Sequence, residues 1–111
     1  MKKLAILTCL KATGVCSGAA CMSAVNRRDR AFAEYAGEEV ELCAFFHCNG
    51  CDCDYGNDKE YKEKIEYVSK LGLDALHIGK CTLQRGIRCD IISDIARYCE
   101  NQNIQIVWET H

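Results

Sequence analysis

The sequence predicts an α/β fold of flavodoxin-like or Rossmann-like type. We expect a four-stranded parallel sheet in the order 2-1-3-4, with helices on both faces. The prediction rests on one observation and one rule. Short apolar runs alternate with segments of helical periodicity along the chain, and strand–helix–strand units of this kind form parallel sheets through right-handed crossovers. The 111 residues are enough for one modest hydrophobic core, so we expect a single domain spanning residues 1–111.

The first half of the chain supplies two predicted strands and one predicted helix. Residues 4–9 are a continuous apolar run, as expected of a strand that is buried on both faces. Apolar residues then recur with helical spacing from about residue 20 to 36, and Gly37 ends this predicted helix. Residues 40–47 form the second predicted strand.

The second half of the chain repeats this alternation twice. Asn57 or Asp58 is predicted to cap a second helix, which Gly72 ends. The third and fourth strands are predicted at residues 75–81 and 104–108. Between them lies a third predicted helix, whose apolar face is formed by Ile91, Ile92, Ile95, Ala96 and Cys99.

Composition and charge exclude several classes of function. The formal net charge is −2 and charges of both signs are mixed along the chain, so we expect no nucleic-acid partner. No segment approaches the roughly 18 apolar residues of a membrane span. Residues 1–10 imitate a short signal peptide, but Lys11 interrupts the apolar run, and cleavage would delete the best strand. We therefore expect a cytoplasmic protein.

Three of the 10 cysteines lie at the ends of predicted strands. Cys9, Cys48 and Cys81 each close an apolar run, and the predicted order places their strands side by side, about 4.8 Å apart. In open α/β sheets, sites lie beyond the carboxyl ends of the strands. A free cysteine is often a small buried hydrophobic residue, but this placement favours a functional role.

Further cysteines are expected at the same edge of the sheet. Cys16, Cys21 and Cys89 lie at or near predicted helix N-termini, where the helix dipole stabilises thiolates. Cys51 and Cys53 lie in the loop after the second strand, and the chain ends near this edge at His111. Two other cysteines, Cys43 inside a strand and Cys99 on an apolar helix face, are expected in the core.

The sharpest motif is Cys48-Asn49-Gly50-Cys51. A Cys-x-x-Cys turn lets two thiolates bind one ion, and its glycine permits a tight backbone. The same motif suits zinc, iron–sulfur clusters and thiol redox enzymes. The thioredoxin fold uses a cis-proline beside its active site, and this chain has no proline, which favours metal binding over thioredoxin-like chemistry.

The assembled pattern resembles the CGGC-domain family over nearly the whole chain. The residues that carry the resemblance are Cys9, the Cys16–Cys21 loop, the Cys48–Cys51 motif, residues 73–81 and the closing Thr110-His111. The resemblance implies a metal site, with zinc suggested by the cysteines and histidines of the family. It implies no defined enzymatic activity.

This chain departs from the family pattern at four positions. Asn49 replaces the first glycine of Cys-Gly-Gly-Cys. Ser17, Asp52 and Asp90 follow cysteines at positions where proline is usual in the family. The thiols are retained, so the departures concern the conformations of the loops.

The leading hypothesis is a small cytosolic protein that binds a zinc ion or an iron–sulfur cluster. Its candidate ligands are Cys9, Cys48, Cys51, Cys81, Cys16, Cys21, Cys89 and His111. The alternative is a thiol–disulfide redox enzyme or sensor that cycles Cys48 and Cys51, with Cys9 or Cys81 as a resolving thiol. A third hypothesis is an interaction module whose metal only cross-links a small core.

Overall fold

The structure is a computed structural model that describes residues 1–51, 56–84 and 87–108. Within these residues, the strands are β1 Lys2–Thr8, β2 Val40–His47, β3 Ala75–Ile78, β4 Leu83–Gln84, β5 Ile87–Arg88 and β6 Gln105–Val107. The α-helices are α1 Ala19–Arg27, α2 Lys59–Ser69 and α3 Asp90–Asn101. Short 3₁₀ helices span Leu10–Gly14, Arg30–Tyr35 and Lys80–Thr82.

The main sheet has four parallel strands in the order β2-β1-β3-β6, which confirms the predicted α/β class and parallel sheet. The number of the last strand differs from the predicted order 2-1-3-4. The reason is a short antiparallel hairpin, β4–β5, which precedes α3 and which the sequence analysis did not anticipate. The strand predicted at residues 104–108 is therefore β6.

The core lies on both faces of the sheet, because successive side chains of a strand point to opposite sides. Leu4 and Ile6 of β1 pack with α1 and the 3₁₀ helix that follows it. Ala5 and Leu7 pack with α2 and α3 on the other face. All four side chains are fully buried, which confirms the reading of this apolar run as a central strand with helices on both faces.

Helices α2 and α3 follow the predicted periodicity. The Asp58 carboxylate accepts a hydrogen bond of 3.1 Å from the Tyr61 amide, so Asp58 is the N-cap of α2. Tyr61, Ile65 and Val68 form the buried stripe of this helix. Across the described residues, none of the helices is both long and apolar enough to cross a membrane.

The helix predicted from residue 20 to 36 is wrong beyond Arg27. Arg28 adopts a left-handed conformation with φ of 56°, and its guanidinium donates to the carbonyls of Val25 and Glu38. The chain then continues as the 3₁₀ helix Arg30–Tyr35. The sequence offers neither glycine nor proline at the break, so local propensity did not reveal it.

This 3₁₀ helix covers a buried histidine of β3. The Phe32 ring stacks on His77 with centroids 4.2 Å apart, and the Tyr35 hydroxyl lies 2.8 Å from His77 Nε2. His77 is fully buried, and this burial lowers its pKa to about 4. The prediction that His77 is a hydrogen-bonded core residue is confirmed.

The third strand is shorter than predicted. It ends at Ile78 rather than at residue 81, and Cys81 lies in the 3₁₀ helix Lys80–Thr82. The Thr82 hydroxyl donates a 2.9 Å hydrogen bond to the Gly79 carbonyl, which closes this turn. The turn carries Cys81 back over the end of β1.

Candidate functional site

A pocket of about 200 Å³ lies at the carboxyl edge of the sheet, with mostly apolar walls. It is lined by Thr8, Cys9, Ala12, Thr13, Cys16, Ser17, Gly18, Phe45 and Cys81. We call it the thiol pocket. It brings together three predicted ligands from three separate segments: Cys9 after β1, Cys16 before α1, and Cys81 after β3.

Backbone amides donate to three sulfurs at this edge. The Cys9 amide donates to Cys81 Sγ, the Leu10 amide donates to Cys48 Sγ, and the Gly18 amide donates to Cys16 Sγ, each over 3.4 Å. Such bonds favour a negatively charged sulfur. Because the Cys9 and Leu10 amides are consecutive, the sulfurs of Cys81 and Cys48 lie within about 10 Å of each other.

The loop that carries Cys16 is shaped by its own backbone bonds and by one aromatic contact. The Cys16 amide donates 2.7 Å to the Ala12 carbonyl, which folds the loop back on the 3₁₀ helix after Cys9. Gly18 then begins α1 with φ of 84°, and a Cβ at this position would lie 3.0 Å from the Phe45 ring. Only glycine satisfies both constraints without strain.

Cys21 lies beneath the pocket on α1 and is almost fully buried. Burial raises its pKa to about 11, and the charges of Cys81 and Cys16 act in the same direction. Burial also raises the pKa of Cys81, while the Cys9 amide opposes that shift. For Cys21, the expected stabilisation of a thiolate by the helix dipole is therefore outweighed by desolvation.

The second group of thiols is the Cys48-Asn49-Gly50-Cys51 segment, which we call the CNGC turn. Cys48 directly follows β2 and is buried in the core formed with α2 and α3, whereas Cys51 is exposed. Gly50 has φ of 108°, a conformation that side chains other than glycine rarely adopt. The prediction that glycine permits the tight backbone of this turn is confirmed.

Lys64 of α2 contacts the CNGC turn, and the sequence analysis missed it. Its ammonium donates to the His47 carbonyl over 2.8 Å and to Asn49 Oδ1. Burial lowers the pKa of Lys64, and the nearby Cys48 sulfur acts in the opposite direction. A signal was present, because residue 64 flanks the apolar stripe of α2 three residues after Tyr61.

Three further cysteines of the described residues lie outside the thiol pocket and the CNGC turn. Cys89 is the N-cap of α3, half-buried against the core on the α2–α3 face. Cys99 is fully buried on α3, and desolvation raises its pKa to about 11, in agreement with the predicted core role. Cys43 is half-buried in β2, where the pairing with β1 shifts register. Cys53 and His111 lie outside the described residues.

The chemistry of the donor set suits a soft metal, since thiolates are the preferred ligands of zinc and iron–sulfur clusters. The present side-chain spacing does not, because no three His, Cys, Asp or Glu side chains in the described part of the chain converge on a point that could hold an ion. A change of χ1 rotamer moves a cysteine sulfur by about 3 Å. The eight-ligand site therefore stays a prediction. Three of its eight candidate ligands, Cys9, Cys16 and Cys81, line the thiol pocket.

Neither a curated protein nor a solved structure matches this chain. A family model does match it, over residues 3–111, and the matched residues include both the thiol pocket and the CNGC turn. The extent of this match, from the first strand to the final histidine, confirms the resemblance inferred from the cysteine pattern. The chain belongs to the family described as the CGGC domain.

Proposed function

We propose that this protein binds a zinc ion or an iron–sulfur cluster through thiolates at the carboxyl edge of its sheet. Membership of the CGGC family and the high cysteine content are compatible with a metal-binding role. The observation that carries the proposal is the thiol pocket, in which Cys9, Cys16 and Cys81 surround one cavity. Backbone amides directed at the sulfurs of Cys16 and Cys81 support it further, because they stabilise the ionised form that binds metals.

The proposal names the ligands in two sets. Cys9, Cys16 and Cys81 would hold the metal, and Cys21 beneath the pocket would complete four sulfur ligands for zinc. The CNGC turn adjoins this set, so Cys48 and Cys51 would extend it toward a cluster with more than one metal ion. Cys89 and His111 are further candidates, and the choice between zinc and a cluster depends on how many sulfurs take part.

The fold supports this placement of the site. The described residues form a four-stranded parallel sheet in the order β2-β1-β3-β6, and sites of open α/β sheets lie beyond the carboxyl ends of the strands. The proposal also includes a cytoplasmic location, because a reducing compartment keeps thiols available as ligands.

A second candidate function is thiol–disulfide exchange at the CNGC turn. Exposed Cys51 would attack a disulfide of a partner, and Cys48 would then displace the partner's sulfur. The products are a Cys48–Cys51 disulfide and two thiols on the partner, so electrons and protons balance. The observation that favours it is the setting of Cys48, whose sulfur accepts from the Leu10 amide and lies near the Lys64 ammonium.

Anaerobic purification followed by elemental analysis tests the first proposal against the second. Metal binding predicts zinc near one equivalent, or iron with acid-labile sulfide and broad visible absorption, at about one site per chain. A folded protein with no metal and every thiol open to titration would contradict it. If mild oxidant then removes two thiols and mass spectrometry finds a Cys48–Cys51 disulfide, the redox function is supported instead.

A further inference from the structure

Lys64 connects α2 to both residues that flank Cys48. Its ammonium donates to the backbone carbonyl of His47 and to the side-chain oxygen of Asn49, and it lies 5.0 Å from the centre of the Tyr61 ring. The three contacts belong to the end of β2, to the CNGC turn and to α2 itself. One side chain therefore joins the turn to the helix beneath it.

The burial of Lys64 distinguishes it from its neighbours on the same helix. Lys59 and Lys62 are exposed, whereas Lys64 is half-buried. Removing an ammonium from water is unfavourable unless fixed acceptors replace its hydration, and Lys64 finds two oxygens and an aromatic face. These contacts fix the position of the Lys64 ammonium, so the ammonium in turn restrains the His47 carbonyl and the Asn49 side chain.

Asn49 supplies the side-chain acceptor within the turn. A glycine at this position, as in Cys-Gly-Gly-Cys, has no side-chain oxygen with which to accept from Lys64. The backbone of the turn already includes Gly50 with φ of 108°, which resists replacement and adds freedom in the unfolded chain. The Asn49–Lys64 bond restrains the turn next to that flexible residue.

We propose that Lys64 is a positioning residue that fastens the CNGC turn to α2 through its bonds to the His47 carbonyl and to Asn49 Oδ1. The bonds keep Cys48 and Cys51 in one relative arrangement. This inference rests on the proposed function only in treating the two cysteines as a ligand or redox pair.

Four variants test this role. Lys64→Met removes the ammonium but keeps most of the apolar stem, and Lys64→Arg keeps the charge and the donors. Asn49→Gly removes the acceptor and leaves Lys64 in place. Lys62→Met is the matched control, because it removes an exposed lysine from the same helix.

Hydrogen exchange of metal-stripped protein measures the positioning without any appeal to metal binding. We expect Lys64→Met to speed exchange of the amides of residues 48–51 about tenfold, the effect of losing a hydrogen bond to a charged group. Asn49→Gly should speed exchange of the same amides by a smaller factor, and Lys64→Arg should keep most of the protection found in the parent protein. Unchanged exchange in both Lys64→Met and Asn49→Gly would overturn the proposal, and the second variant decides if the first does not fold.

Cobalt(II) titration, followed by thiolate-to-cobalt absorption, measures the consequence for ligand binding. Lys64→Met should weaken cobalt binding about tenfold, while Lys64→Arg and Lys62→Met stay close to the parent protein. If the parent binds no cobalt while the exchange effect is present, the metal function fails and the role of Lys64 is upheld. If cobalt binds equally to parent and Lys64→Met and exchange is unchanged, the role of Lys64 is overturned and the metal function is upheld.

Discussion

The thiol pocket and the CNGC turn place cysteine side chains in two different electrostatic settings at one edge of the sheet. In the pocket, the cysteines face mostly apolar walls and other cysteines, and the Cys9 and Gly18 amides donate to the sulfurs of Cys81 and Cys16. In the turn, Cys48 has both the Leu10 amide and the Lys64 ammonium nearby. Under the metal proposal, the bound ion would bring positive charge to the pocket, whereas the turn has the Lys64 ammonium beside it.

The two regions also differ in what fixes their shape. The loop before α1 is held by its own backbone bonds and by Phe45 against Gly18, whereas the turn is held by the side chain of Lys64. The consecutive amides of residues 9 and 10 each donate to one sulfur, Cys81 Sγ in the pocket and Cys48 Sγ in the turn. A change at this peptide thus affects both regions, although each has its own support.

The largest expected effect comes from removing the metal. A chelator should lower the melting temperature by about 10 °C or more, because part of the binding free energy of a structural metal is folding free energy. Hydrogen exchange should rise in residues 9–18 more than in residues 48–51, since Lys64 still restrains the turn. Equal loosening would mean that the metal holds both regions alike, and an unchanged melting temperature would mean that no metal is structural.

Single cysteine substitutions compare the regions next. Cys81→Ser in the pocket and Cys51→Ser in the turn should each lower metal content severely if one site spans both regions, because serine is not ionised at neutral pH. Loss from Cys81→Ser alone would confine the metal to the pocket and leave the turn for redox chemistry. Retention by both variants would contradict the metal proposal for either region.

Cys99→Ala is the control for these substitutions. Cys99 is fully buried on α3, where it shares the α2–α3 core with Cys48 but does not line the thiol pocket, so this variant should keep its metal. It should lose about 1 kcal/mol of stability through lost packing, as measured by urea unfolding. Metal loss equal to that of Cys81→Ser would show that thermal stability, rather than ligation, sets the metal content.

The sequence predicted those parts of the fold that depend on local pattern. The apolar run of β1, the Asp58 cap and the apolar stripe of α2 each have a periodicity or a cap residue that is readable without tertiary contacts. The break of α1 at Arg28 has no such sign, because the Arg28 side chain supports it through bonds to the carbonyls of Val25 and of Glu38, ten residues further on. Side-chain bonds that form only once the chain has turned decide such a position, and neither periodicity nor a breaker residue marks it in the sequence.

The same division applies to the site. Strand-end positions placed Cys9 and Cys48 at one edge, which the parallel sheet bears out. The pattern could not show that Cys48 packs on the α2–α3 side while Cys9 lines the pocket, because that depends on where each chain turns after its strand. Nor could it pair Lys64 with Asn49, which lie 15 residues apart and meet only when α2 packs on the sheet.

His77 separates two causes of instability in acid. It lies on the pocket side of the sheet, where burial lowers its pKa to about 4, below the ordinary value of 6.5. Between these two pH values the unfolded chain binds more protons than the folded one. The folded state is therefore stabilised as pH rises through this window, and that contribution is lost as pH falls from about 6.5 toward 4.

Between pH 7 and pH 5, His77 should account for about 2 kcal/mol of lost stability in metal-free protein. Acid also protonates thiolates and releases metal, so in metal-bound protein both effects act together. His77→Gln removes only the histidine effect, and its urea unfolding curves should be flatter between pH 7 and 5 than those of the parent. If the slopes are the same, His77 is not the titrating group, and the pocket side of the sheet loses stability in acid through its thiols alone.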